Sequence, residues 1–461
     1  MVDLFVIGGG AAGYAGALRA AQLGGKVLLV EMEKLGGICL HRGCVPSKVL
    51  YQQAAVIESY RAALRSGLFE DEPVPKLAAV ARRQDEVVEK LYLGLQDLFK
   101  KRGITIMHGR ALIRGPGRVL VHGEGRVEEY FAGSILVAAG SQEKNLSIPG
   151  AEELSGAEVS LKPPEEPCRI AVIGGGITGL ELAGAYASLG FKMTVVEREK
   201  VLLPALQDEE ISKWLAFFLK RRGIKIFTGT GLERIERSVE NGIEVLKPVL
   251  SPAGKQHVIT VDRVINAAGR KPRLDVFAPN VDGVKQHAGG IAVNERMETS
   301  IKGIYAAGDV TGLPMLAHLA YFEGMVAAEN AMGINRILDL KAVPSCLSAK
   351  PGLAWVGLTE KQAIEAGITP QVVYFPFAAN AGAALRGGEE GFVKIIAAED
   401  GIILGMQVLG EYAEELIMEG TVAVRHGLSI QQLSRTMHPH PTVHEAVWEA
   451  CLSLEGFPLH G

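Results

Sequence analysis

A chain of 461 residues exceeds one ordinary domain and predicts two to four of them. Glycine is the compositional outlier, 56 residues or about 12 % against roughly 7 % in average usage, but the lack of a G-X-Y period and only 21 prolines exclude collagen. With 48 % hydrophobic residues and a net charge of −4 (48 basic, 52 acidic), disorder is excluded, and nothing electrostatic calls for nucleic acid or an anionic membrane as partner.

The opening Met1-Val-Asp-Leu-Phe-Val-Ile7 carries no basic leader and reads directly as a strand, so no targeting segment is expected and a cytoplasmic location is predicted. No apolar run reaches about 18 residues, so no membrane span is expected. Residues 4–7 read as strand, 8–13 as a glycine loop, 14–23 as an Ala/Leu-rich helix, and 26–30 as a second strand ending at Glu31. Residues 51–102 are helical in pattern, and 104–137 read as a small antiparallel sheet with Gly turns. A proline-rich joint at 162–167 precedes a second copy of the opening pattern: strand 169–173, loop 174–179, helix 180–189, strand 192–196 ending at Glu197. The copies lie 166 positions apart, which predicts two βαβ units. From Val343 the pattern changes to strands at 353–357, 371–376, 391–397 and 402–409 with helices at 411–427 and 441–453. Thr359-Glu-Lys-Gln362 is a capping box.

Gly8-x-Gly10-x-x-Gly13 and Gly174-x-Gly176-x-x-Gly179 each follow a strand and open a helix. The first glycine makes a tight turn, the second lets backbone approach a pyrophosphate, and the third lets helix pack on strand. The anion then rests on a helix N-terminus. Glu31 and Glu197 stand where a ribose 2′-OH would be accepted and a 2′-phosphate repelled, so the second site favours NAD over NADP, with Arg198 and Lys200 working the other way. Cys39 and Cys44 are five apart in Gly36-Gly-Ile-Cys-Leu-His-Arg-Gly-Cys-Val-Pro-Ser-Lys48. On a regular helix five steps span roughly 7.5 Å, beyond the usual disulfide limit near 7 Å, so a bridge here distorts the helix start and is easily reduced. Pro46 suits a first helical turn and puts Cys44 where the dipole lowers a thiol pKa. A redox dithiol fits best, with two buried free cysteines or half a zinc site as alternatives. His438-Pro-His440-Pro-Thr-Val-His444-Glu445 holds three histidines and a glutamate, open to an acid–base, metal-ligand or solvated reading.

Together these segments resemble the pyridine nucleotide-disulfide oxidoreductases over nearly the whole chain. The likeness includes Val137-Ala-Ala-Gly-Ser141, Ile265-Asn-Ala-Ala-Gly-Arg270, Thr299-Ser-Ile-Lys-Gly-Ile-Tyr-Ala-Ala-Gly-Asp-Val-Thr-Gly312 and Pro314-Met-Leu-Ala-His318. The resemblance implies an α/β fold with two Rossmann-like dinucleotide-binding domains, one for FAD and one for NAD, plus a C-terminal α+β dimerisation domain. The corresponding boundaries are 1–145 with 272–342 for FAD, 146–271 for NAD and 343–461 for dimerisation. It places Gly8, Gly10, Gly13, Glu31, Lys48, Ala111, Ala139, Gly140, Ser141, Asp309, Met315, Leu316, Ala317 and His318 at FAD, with Asp309 on the ribityl–phosphate portion. Gly174, Gly176, Gly179, Glu181, Glu197 and Gly269 fall at NAD, and Lys48 and Glu181 form a pair near flavin N5.

The resemblance makes Cys39, Cys44, His440 and Glu445 catalytic, with Cys39 the more accessible thiol, Cys44 against the flavin, and no metal. It implies a homodimer that oxidises protein-bound dihydrolipoamide with NAD⁺ and meets the lipoyl domain of a 2-oxoacid dehydrogenase or glycine cleavage complex. Alternatives are a related NAD(P)H-dependent reductase of another disulfide or a quinone, or a non-catalytic scaffold. His41 and Arg42 between the cysteines and Gly352 before Ala354-Trp-Val-Gly357 depart from the commonest family pattern.

Overall fold

The computed structural model describes residues 1–461 except Glu124, Ala253, Gly254, Asn280, Gly461 and the side chain of Pro252. The helices that position the site are, in chain order, α1 (Ala11–Gln22), α2 (Gly37–Arg42), α3 (Cys44–Arg65), α4 (Ile177–Ser188), α5 (Ala317–Ala331), α6 (Ala413–His426) and α7 (Glu445–Leu454). The chain divides into two units. One holds Met1–Val49, Ala81–Asn145 and Gly269–Asp339; the other holds Leu50–Val80, Leu146–Ala268 and Leu340–Gly461.

In the first unit the apolar strand Val2–Ile7 lies at the centre of a parallel sheet. Val27–Glu31 and then Thr105–His108 flank it on one side, and the end of Arg126–Val137 and then Ile304–Ala306 on the other. This order brings the loop at 8–13 to the carboxyl ends of the strands, where doubly wound sheets bind ligands. The expected antiparallel sheet is present as Arg110–Gly115, Arg118–Gly123 and Arg126–Val137. Thr105–His108, however, pairs parallel with Val27–Glu31. A short apolar run carries no information about the direction of its partner. The helical stretch at 51–102 is also two helices, α3 and Leu77–Lys101. Pro73 and Pro75 fall in the gap and deny the backbone its helical bonds.

The second unit repeats the plan. Arg169–Ile173 is central, with Lys192–Val196 and Lys225–Phe227 on one side and Arg263–Asn266 and Leu154–Gly156 on the other, all parallel. Its C-terminal part is a five-stranded antiparallel sheet in the order Ser345–Leu347, Gly352–Gly357, Ile403–Gly410, Gly391–Ala397, Gln371–Pro376. Buried Leu416, Ile417, Ala423 and Val424 of α6 and Ala446, Val447, Ala450 and Cys451 of α7 share one core with these strands. The Thr359 capping box forms as expected, its side chain accepting from Gln362 N. Cys346 lies in the strand Ser345–Leu347, which no sequence signal marked.

Helices α1 and α5 meet through small residues. Ala12, Ala17 and Ala20 of α1 and Ala327 and Ala328 of α5 are buried, and a Cβ on Gly324 would overlap the Ala12 carbonyl oxygen. The close crossing needs glycine there. Gly324→Ala is therefore expected to cost about 1–3 kcal/mol, the usual range for overpacking. A urea midpoint unchanged from the parent protein would contradict this.

Candidate active site

The two glycine loops are built alike. Gly8 has φ +96° and Gly174 φ +118°, conformations that L side chains rarely adopt. A Cβ on Gly13 would overlap Gly8 O, and one on Gly179 would overlap Gly174 O, so each helix rests directly on its own loop. The middle glycines differ. A Cβ on Gly176 would meet nothing within 4 Å, and one on Gly10 only Gly37 Cα at 4.0 Å. That open face at a helix N-terminus fits a pyrophosphate. Each loop is clamped by its acidic residue: Gly9 N donates to Glu31 Oε2 at 2.6 Å, and Gly175 N to Glu197 Oε2 at 2.6 Å. The other oxygens accept from Glu33 N (2.8 Å) and Glu199 N (2.7 Å). A carboxylate has about four lone-pair sites, so both retain capacity for ribose hydroxyls. The residues fit two dinucleotides.

The cysteines sit on two helices, not one. α2 ends at Gly43, whose φ of −138° and ψ of −113° are not helical, and α3 begins at Cys44. A Cβ on Gly43 would lie 3.1 Å from Ile38 O and 3.3 Å from Cys39 Cα, so glycine lets the chain fold back tightly. The distortion anticipated from the five-residue spacing is this break. The two thiols hydrogen-bond each other; that bond and burial push the Cys39 pKa well above its ordinary value, while Lys48 acts in the opposite sense. Contrary to expectation, Cys44 is the exposed thiol and Cys39 is half-buried, because Cys44 stands at the free first turn of α3 and Cys39 lies within α2. Between them, Arg42 is drawn to Glu33 (2.6 Å) and the His41 Nε2–H donates to Leu35 O (2.9 Å). Both departures from the family pattern thus have partners of their own.

Asp309 lies in the turn after Ile304–Ala306. Its Oδ2 accepts from Ser141 Oγ at 2.5 Å, and Arg270 Nε donates to that hydroxyl at 2.7 Å. Ser141 and Asp309, far apart in sequence, are brought together, and Gly140 precedes them with φ +70°. Ala111 is buried in Arg110–Gly115, Ala139 follows Arg126–Val137, and Met315 and Leu316 lead into Ala317 and His318 at the start of α5. Glu181 of α4 accepts from Ser348 N at 2.9 Å. Gly269 has φ +106° and accepts from Lys144 N at 3.0 Å. Lys48 and Glu181 fall in different units.

His440 Nδ1–H donates to Glu445 Oε1 at 2.9 Å, and Thr442 N donates to Oε2 at 2.8 Å. Burial opposes charge on Glu445, but the Thr442 amide and His440 outweigh it and hold the carboxyl below its ordinary range. The His440 side chain is 69 % exposed, so Nε2 is the nitrogen left to take a proton. His438 belongs to a separate pair, with Nε2 2.7 Å from Glu419 Oε1.

Residues 2–324 match the model of the pyridine nucleotide-disulphide oxidoreductase family, and residues 343–451 match its dimerisation domain. The chain belongs to this family. Among curated relatives, dihydrolipoyl dehydrogenase of Thermus scotoductus is 40 % identical over 99 % of this chain and 98 % of that protein. The same enzyme of Pseudomonas aeruginosa is 36 % identical over 99 % and 98 %. A solved structure, the Cu(II) complex of the HOCl-induced flavoprotein disulfide reductase RclA of Escherichia coli, superposes with a TM-score of 0.86 at 26 % identity, covering 98 % of this chain and 99 % of that one.

Family membership makes the protein a flavin-dependent oxidoreductase with FAD and NAD(H) as cofactors, and its dimerisation domain supports a homodimer. Among the described residues no helix is long and apolar enough to cross a membrane. Sequence reasoning missed two residues: Glu323, whose Oε2 accepts from Gly308 N, and Glu419. Glu323 lies at helical spacing from the buried Leu319, Ala320, Val326 and Ala327, which was the available signal for the first. Gly43→Ala is expected to shift the dithiol–disulfide equilibrium toward dithiol by roughly fivefold, about 1 kcal/mol of added strain. Thiol counts after equilibration with glutathione buffers measure it; an unchanged equilibrium would show that the Gly43 break does not matter.

Proposed function

We propose that this family member oxidises protein-bound dihydrolipoamide with NAD⁺, as its curated relatives' names say of them. The observation that supports it best is the pair of hydrogen-bonded thiols across the Gly43 break, one of them at a helix N-terminus. On this reading residues 1–145 and 272–342 hold FAD, 146–271 hold NAD, and 343–461 form the dimer. Gly8, Gly10, Gly13, Glu31 and Asp309 hold FAD, and Gly174, Gly176, Gly179 and Glu197 hold NAD. Lys48 and Glu181 serve near the flavin, with Lys48 favouring thiolate.

His440 takes a proton on Nε2 from one dihydrolipoyl thiol, and Glu445, bound to Nδ1–H, steadies the resulting imidazolium. The substrate thiolate attacks Cys39 Sγ of the oxidised pair, forming a mixed disulfide and releasing Cys44 as thiolate. The second substrate thiol, once deprotonated, attacks the substrate sulfur of that disulfide. Lipoamide leaves with its own S–S bond, and both electrons remain in the Cys39/Cys44 dithiol. FAD supplies the two-electron relay from this dithiol to NAD⁺. On this reading the roles of the two thiols follow the resemblance, which puts Cys44 against the flavin and Cys39 toward the substrate. The resemblance assigns the acid–base step to His440 of the partner subunit. The lipoyl domain of a 2-oxoacid dehydrogenase or glycine cleavage complex is the proposed partner. A dithiol that must cycle suits the reducing cytoplasm.

Cys44→Ser is expected to keep FAD, seen as flavin absorbance, while dihydrolipoamide-dependent NAD⁺ reduction falls below about a thousandth of the parent. Substantial activity would sink the mechanism. In steady-state assays NADH should exceed NADPH at least tenfold in kcat/KM, about 1.4 kcal/mol, because Glu197 faces the 2′ position. Lipoamide should exceed glutathione disulfide and quinones. A preference for either alternative acceptor would reassign the substrate.

A further inference from the structure

Glu323 is 1 % exposed on α5, yet it carries a carboxyl group. Its Oε2 accepts from Gly308 N at 2.5 Å, the amide just before Asp309. The adjacent Gly324 is where the Ala12 backbone of α1 comes closest to α5, and a Cβ on Gly308 would lie 3.0 Å from Ala12 Cβ. One helical turn of α5 therefore touches both the first glycine loop's helix and the Gly308–Asp309 turn. Among the described residues no basic group contributes to the shift of the carboxyl. From the turn, Asp309 repels it. From α1, Arg19 is bound to Glu329, as is Arg336, and Tyr14 packs at a tilt against Tyr321. The packed strand Ile304–Ala306 presents Tyr305, and α5 itself carries His318 five positions earlier. Burial pushes the Glu323 carboxyl up to about 7, against the Gly308 hydrogen bond and with help from Asp309.

We propose that Glu323 is the positioning residue of the FAD-facing Gly308–Asp309 turn and takes up one proton from solvent when FAD binds. The inference rests on the reading that this turn faces FAD. A second anion brought beside Asp309 raises the cost of a buried carboxylate, and the group answers by protonating. The protonated form still accepts from Gly308 N through its carbonyl oxygen. In the apoprotein the stability that Glu323 contributes is full below its unfolded pKa and lost as pH rises through about 7.

Titration calorimetry of FAD into apoprotein at pH 7.5, in two buffers of different ionisation enthalpy, counts the protons. About 0.7 proton per FAD is expected, falling toward zero at pH 6. Glu323→Gln should bind FAD within about threefold of the parent with no proton uptake from this position, whereas Glu323→Ala should weaken FAD about tenfold by stranding the Gly308 amide. Equal uptake in parent and Glu323→Gln would overturn the proposal, as would Glu323→Ala binding FAD as tightly as the parent. Should Glu323→Ala fail a thermal-melt check, the Glu323→Gln proton count decides alone. Parent apoprotein that binds no FAD would instead overturn the underlying flavin reading.

Discussion

The contact on which the dinucleotide sites depend has no side chain in it. Gly13 lies on the carbonyl of Gly8, and Gly179 on that of Gly174, so α1 and α4 sit on their loops at backbone distance. That contact fixes where each helix N-terminus points, and with it the open face at Gly10 and Gly176. Continuous burial of the central parallel strands places the sheet beneath; the glycines place the helix above it. The crossing of α1 and α5 at Gly324 extends the same logic, since an alanine-lined seam leaves no room for adjustment. A densely packed interior transmits such positions instead of absorbing them.

The redox pair applies the principle to chemistry. Two cysteines on one regular helix would face apart, and Gly43 removes the obstacle by ending α2 and letting α3 restart at Cys44. The result is a pair of thiols close enough to hydrogen-bond, in a setting where Lys48 favours thiolate and burial disfavours it. Burial and the mutual hydrogen bond outweigh Lys48 and hold the Cys39 thiol well above its ordinary pKa. In the other unit, Glu445 is kept ionised by the Thr442 amide and by His440, which fixes the imidazole tautomer without burying the ring.

Much of this was legible in the sequence. Strands 169–173, 192–196, 371–376 and 391–397 stood out because each is a short apolar run bounded by turn residues. The two glycine motifs were persuasive because strand, loop, helix and acid recur in the same order 166 positions apart. What sequence could not supply was partnership across distance. Residues 105–108 look the same whether they pair parallel or antiparallel. The relative exposure of Cys39 and Cys44 depends on where α2 stops, which is set by three-dimensional crowding at Gly43. Glu323 reads as a solvated helix acid until the Gly308 amide is seen against it. Pro73 and Pro75 interrupt a helical pattern that continues on either side of them.

The acidic residues of the two loops hold a lesson for redesign. Glu197 accepts two backbone amides before any ribose arrives, so it is both a fastener of the loop and a reader of the cofactor. Exchanging it for a basic side chain to admit a 2′-phosphate would strip the loop of its fastener while adding the desired charge. A successful switch of coenzyme therefore has to rebuild the turn along with the charge. The cofactor preference is stitched into the scaffold, and evolution, like an engineer, would have to change both together.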